Sequence, residues 1–188
     1  MNSVMNDESI MKNKVIAAVR THEELLCAAS SDSKIVFHLS PDILTMEEEI
    51  KILHSAGKKF FLHIDLASGI GRDKSGIEYV KKLGVDGIIS TRTSIIKSAR
   101  ELGVFTVQRF FIVDSQSINT TIETLRSSKA HMIEVMPGIS KTIKRLKDAV
   151  SVPIIAGGLI ETREEAIEIL ESGASAVSTG KTSLWMKN

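Results

Sequence analysis

Eight short runs rich in β-branched and aromatic residues recur along this chain, each separated from the next by a longer amphipathic stretch. That alternation constrains the fold more than any other feature. The runs are Val15–Arg20, Lys34–Ser40, Lys59–Leu66, Gly87–Arg92, Phe105–Phe111, Met132–Pro137, Val152–Gly158 and Ala176–Gly180. Helical signals fill the gaps. Thr45 to Ala56 carries Met46, Ile50 and Leu53 on one face, with Gly57 after it. Thr162 and Glu165 have capping-box spacing at the start of a helix that stops before Gly173. Two more stretches end alike, at Lys81–Gly84 and Arg100–Gly103, with a basic residue in the last turn and glycine behind it.

Strands that alternate strictly with helices form a parallel sheet with right-handed crossovers, and eight is the number that closes a barrel. The expected fold is therefore α/β, a small (β/α)8 TIM-type barrel. An open flavodoxin-like sheet is the alternative, but it needs only five or six strands. The 188 residues shared over eight repeats give 23.5 each, which leaves little room for large insertions or a lid domain. The expectation is a single barrel domain over 1–188: an extra N-terminal segment 1–13, the barrel over 14–180, and a tail 181–188 in place of a full eighth helix. Asn6–Lys12 is expected to form a helix or turn covering the N-terminal end of the barrel.

Composition narrows the function classes. Apolar residues make up 43% and charged residues 25%, as in soluble globular chains, so disorder is excluded as the dominant state. Lys+Arg 24 against Asp+Glu 23 excludes a polybasic binder, so any nucleic-acid contact is local. The single cysteine, Cys27, cannot form an intramolecular disulfide and fits a reducing cytoplasm. No apolar run reaches the ~18 residues of a membrane span, and Asp7, Glu8, Lys12 and Lys14 stand where a signal peptide would be apolar.

Period-two alternation indicates which side chains point into the barrel. In the second strand Ile35, Phe37 and Leu39 read as the outer apolar set, leaving Val36, His38 and Ser40 inward. In the third, Phe60, Leu62, Ile64 and Leu66 read as outer, and Phe61, His63 and Asp65 as inner. Glu134 is expected inside, while Arg20, Ser90, Arg92 and Ser178 point toward the mouth. Polar groups thus gather at the C-terminal ends of the strands, where barrel proteins hold ligands. Burying them unpaired would cost about 1–3 kcal/mol each, so a polar ligand or water is expected among them. Gly157 and Gly158 follow strand seven, and Ser178, Thr179 and Gly180 end strand eight. These two turns are where many such barrels grip phosphate through backbone N–H groups and hydroxyls.

His38, His63, Asp65 and Glu134 have the residue types of a metal site, but no second inward Asp or His lies on strand seven, and no metal is expected. Schiff-base chemistry lacks a mid-strand inward lysine, and nucleophile motifs are absent, so no catalytic residue is assigned. Basic residues lie at Lys141, Lys144, Arg145 and Lys147, near Arg126 and Lys129, and at Arg72 and Lys74. They read as solvated surface by default, and aromatics at 4% provide little base stacking.

Taken together, VIAAVR, HIDLASGIGRD (His63–Asp73), DGIISTR (Asp86–Arg92), QRFFIVDS (Gln108–Ser115), IEVMPG (Ile133–Gly138), PIIAGGLI (Pro153–Ile160) and AVST (Ala176–Thr179) with SLW (Ser183–Trp185) resemble the glycerol-3-phosphate-responsive antiterminators of bacteria. The resemblance implies a non-catalytic barrel that binds glycerol 3-phosphate as effector and, loaded, binds the leader transcript of glycerol-utilisation genes. It implies no cofactor and is compatible with a homo-oligomer. On this reading the phosphate sits at Gly157, Gly158, Ser178, Thr179 and Gly180, although Gly180 stands where a small hydroxyl residue is expected. Polar contacts to the effector are assigned to Arg20, His38, His63, Asp65, Arg92, Gln108, Arg109, Glu134 and Gly138. Candidate RNA contacts are Arg72, Lys74, Lys141, Lys144 and Arg145. The residues alone leave open a phosphosugar isomerase or epimerase, which would use the same groups as acid and base.

Overall fold

The structure is a computed structural model and describes residue 11 and residues 13–186. Eight parallel strands pair in sequence order and close through β1 on β8. They are β1 (Val15–Val19), β2 (Ile35–His38), β3 (Lys59–His63), β4 (Gly87–Ser90), β5 (Phe105–Phe111), β6 (Met132–Met136), β7 (Ile154–Gly157) and β8 (Ala176–Thr179). All eight expected runs are strands. Seven helices are described between them: α1 (His22–Ser30), α2 (Met46–Ser55), α3 (Lys74–Leu83), α4 (Thr93–Glu101), α5 (Ser115–Ser128), α6 (Ser140–Lys147) and α7 (Arg163–Glu171). The Thr162–Glu165 capping box forms as its spacing requires, and a second one, Thr21–Glu24, starts α1.

After β8 a 3-10 turn, Thr182–Leu184, stands where a helix would follow. Trp185 completes the packing: it is 1% exposed, its indole Nε1 donates to Thr179 O at 2.8 Å, and its carbonyl accepts from Asp32 N at 3.0 Å. Among the described residues no helix is long and apolar enough to cross a membrane. The expected covering segment Asn6–Lys12 lies, apart from Met11, outside the described residues.

Two apolar layers follow from the alternation. The larger, with Val36, Phe60, Leu62, Ile88, Ile133, Val135 and Val177, lies between strands and helices. The smaller fills the barrel with Ile16, Ala18, Phe37, Leu39, Phe61, Ile89, Val107 and Ile155. This corrects the expected phase of β2. Phe37 faces inward, 5.5 Å from the Phe61 ring, and Val36 and His38 face the helices. Both faces of a barrel strand are apolar, so hydrophobicity did not distinguish inside from outside there. The third strand is also shorter than expected. Ile64–Leu66 form a 3-10 turn, which breaks the alternation before Asp65 and leaves Leu66 half exposed.

Candidate functional site

The floor of the C-terminal mouth is built on Glu134, which the β6 alternation turns inward and buries completely. Arg109 on β5, its register partner, donates from Nε to Glu134 Oε2 at 2.7 Å, and Ser178 Oγ on β8 donates to Oε1 at 2.6 Å. Gly157 on β7 runs between them. A Cβ there would lie 2.7 Å from both Glu134 Oε1 and Ser178 Oγ, so this glycine makes room for a buried, charge-assisted hydrogen bond. His63, 3% exposed, faces the same interior with Nδ1 unpartnered. Burial, and then the Arg109 charge, push its pKa down to about 4, so the ring is neutral at pH 7.

Above this floor opens a cavity of about 390 Å³ between the ends of β1, β6, β7 and β8. Arg20, Lys181 and the turns Gly158–Glu161 and Ser178–Lys181 line it. Among the described residues neither Arg20 nor Lys181 is in an ion pair. Gly158 (φ 73°) and Leu159 (φ 57°) are both left-handed, which turns the chain sharply over the cavity and leaves Leu159 80% exposed. Gly180 passes 3.8 Å from Arg20 Nη1, measured from the Cβ it lacks, so the small residue there leaves the guanidinium its place.

The mouth therefore brings together Arg20, Arg109, Glu134, Gly158, Ser178, Thr179 and Gly180, with Gly157 and His63 beneath. The hydroxyls are engaged within the protein: Ser178 with Glu134, and Thr179 Oγ1 with Ile160 O at 2.7 Å. Gly138 packs β6 against β7, since a Cβ there would stand 3.1 Å from Ala156 and Ile160. Asp65 is spent on the end of β4, accepting from Ser90 Oγ at 2.8 Å and from Thr91 N and Oγ1 at 2.7 and 2.9 Å. Burial pulls its pKa upward, but those hydrogen bonds outweigh it and hold the carboxyl below its ordinary range. Arg92, 3.9 Å from Asp65, stays half exposed.

Two expected mouth residues point the other way. His38 faces α2, where its Nε2 lies 3.3 Å from the buried Glu49. Gln108 alternates with inward Val107 and Arg109, faces α4, and donates to Thr93 Oγ1 at 3.2 Å. With His38 and His63 on opposite faces of the sheet, the two-histidine metal set is not assembled. The candidate RNA cations lie on two separate segments: Arg72 and Lys74 follow β3, and Lys141, Lys144 and Arg145 ride on α6 after β6. Sequence reasoning missed Lys181 and Leu159 as mouth residues, although Lys181 follows Gly180 directly.

Comparison with known proteins then decides the family. The profile of the family described as glycerol-3-phosphate responsive antiterminator matches residues 15–185. The chain belongs to that family. It is similar to the uncharacterized protein YgcP of Escherichia coli (strain K12), 35% identical over 178 residues that cover 94% of this chain and 93% of YgcP. Among solved structures it resembles the glycerol uptake operon antiterminator regulatory protein of Listeria monocytogenes, with a TM-score of 0.86, 30% identity, and coverage of 92% of this chain and 94% of that one. A glycerol uptake operon antiterminator-related protein of Thermotoga maritima is similar with a TM-score of 0.82, 34% identity, and coverage of 93% and 99%. In this antiterminator barrel the mouth is the built polar site: a fully buried carboxylate beneath two cations that have no ion-pair partner among the described residues.

Proposed function

We propose that this antiterminator senses glycerol 3-phosphate at the C-terminal mouth and, when loaded, binds the leader transcript of glycerol-utilisation genes in the cytoplasm, leaving the effector unchanged. The observation that carries the reading is the cavity itself: Arg20 and Lys181 stand over a buried Glu134, at the turns after β7 and β8. A dianion suits the two cations and the backbone of those turns. The effector hydroxyls suit Glu134, whose two oxygens accept one protein hydrogen bond each and keep lone pairs for more. No nucleophile–base pair is part of this arrangement, which supports sensing over turnover.

Calorimetry with glycerol 3-phosphate, inorganic phosphate and glycerol tests it. Glycerol 3-phosphate is expected to bind tightest, and Arg20→Gln with Lys181→Gln to weaken it at least about tenfold, the loss of one to two charge-assisted contacts. Equal affinity for glycerol and its phosphate, or consumption of the effector with turnover, overturns the reading.

A further inference from the structure

A hollow larger than the mouth lies elsewhere on the barrel. A groove of about 470 Å³ lies at the opposite, N-terminal end of the barrel, among the loops that lead into β6 and β7. Arg100 from the end of α4, Arg126 and Lys129 from the end of α5, and His131 line it together with apolar side chains, and no carboxylate does. A second hollow of about 320 Å³ shares Val150, Ser151 and Val152 with the first and adds Lys147, again without a carboxylate. Among the described residues none of these four cations is in an ion pair. In a chain with a formal charge of only +1, such a run of uncompensated cations is a local concentration that must repel itself unless an anion covers it.

The groove is also shaped. Lys147 is placed by Gly173, whose missing Cβ leaves the space its stem occupies, and Gly173 has φ 113°, a conformation glycine adopts without strain. Phe105 begins β5, is 38% exposed and stacks on His131 with ring centres 4.6 Å apart and planes 13° from parallel. His131 lines the groove, and Phe105 beside it is one of the few exposed aromatic side chains in a chain with 4% aromatics. Burial, then the Arg100 charge, hold the His131 pKa below its ordinary value, so the ring stays a neutral stacking partner at pH 7.

We propose that this N-terminal groove and the hollow adjoining it bind single-stranded RNA, with Arg100, Arg126 and Lys129 in the groove and Lys147 in the hollow beside it on the phosphates, and an unpaired base on the Phe105–His131 stack. The assignment rests on the antiterminator reading above for the identity of the partner; the groove itself is read from charge and shape. Backbone contacts from a row of cations with an aromatic platform beside them are what unpaired nucleic acid needs. The site then lies across the barrel from the effector, on the same two strands: β5 runs from Phe105 to Arg109, and β6 leads from His131 to Glu134.

The test is a binding titration of the full-length protein against the leader RNA of its own glycerol-utilisation genes, with saturating glycerol 3-phosphate, over a series of salt concentrations. Arg126→Glu with Lys129→Glu, and the milder Arg126→Gln with Lys129→Gln, are compared with Lys51→Glu plus Lys82→Glu, which makes the same charge change on α2 and α3. Each lost phosphate contact on a single strand removes about 0.7 from the slope of log K against log salt, so the groove variants are expected to lose about 1.4 and to bind at least about tenfold more weakly at low salt. Their effector affinity and Trp185 emission are expected to stay as in the wild type, which separates lost contacts from lost folding. Groove variants that bind RNA as the wild type does overturn this assignment alone, and leave the groove to an acidic protein surface. A loaded wild type that ignores the leader at low salt overturns the antiterminator reading itself.

Discussion

A methyl group at position 157 would collide with the carboxylate that organises the mouth, and Gly157→Ala measures what that carboxylate is worth. The added Cβ would stand 2.7 Å from Glu134 Oε1 and 2.7 Å from Ser178 Oγ, closer than such contacts allow by about half an ångström. Neither atom can step aside freely, because Glu134 is fully buried and tied to Arg109 on its other oxygen. The Ser178–Glu134 hydrogen bond must lengthen or break, at about 1.5–3 kcal/mol for a bond to a charged group. Alanine returns about 0.4–1 kcal/mol by restricting the unfolded chain, and no left-handed φ at this position complicates the comparison. The net loss is about 0.5–2.6 kcal/mol, or roughly 1–10 °C in Tm for a chain of this size. Urea unfolding of the wild type, Gly157→Ala, Ser178→Ala and the double variant closes a cycle. In the double variant one of the two clashing atoms is gone, so the two losses should add to less than their sum by at least about 0.5 kcal/mol. Additive losses, or a Gly157→Ala protein as stable as the wild type, would refute the steric argument.

Two further outcomes follow from the buried groups. His63 has a folded pKa of about 4 against 6.5 in the unfolded chain, so only the unfolded state takes up this proton between those values. Its contribution is full above about pH 6.5 and declines as pH falls toward 4, by up to about 3 kcal/mol, and His63→Gln should flatten that part of the wild-type stability profile. A ring that titrates near 6.5 by NMR would contradict it. Trp185→Ala should cost about 3–5 kcal/mol, since the indole is buried in place of a helix, whereas Trp185→Phe should cost less by keeping most of the packing. Urea midpoints followed by circular dichroism decide it, and a tail that can lose Trp185 at under 1 kcal/mol is not part of the core.

The architecture was legible in the sequence because its signals are local. Each strand run needs only its own β-branched residues, and each helix only its caps and one apolar stripe, as in α2 with Met46, Ile50 and Leu53 buried on one face. Eight such units left few topologies, and the inward places of Glu134 and Ser178 followed from apolar neighbours on the outer face alone. The same reasoning failed at β2, where apolar residues occupy both faces and His38 turned out to serve Glu49 in the helix layer. It failed again at Asp65, where a 3-10 turn interrupts the period that had pointed the carboxyl inward.

What the sequence alone determined, then, is the repeat, its count and the family motifs, all of which are read within short windows. Only the closed barrel decided which groups meet. Glu134 and Ser178 are 44 residues apart yet share a 2.6 Å hydrogen bond across Gly157, and that contact exists because β7 sets β6 and β8 on either side of it. Arg100, Arg126, Lys129 and Lys147 likewise fall on three separate helices or their ends, each unremarkable as a solvated cation. Ring closure sends every helix back to the same end of the barrel, and that gathers them around two adjoining hollows whose linings hold no carboxylate, a property of tertiary geometry that no local pattern encodes.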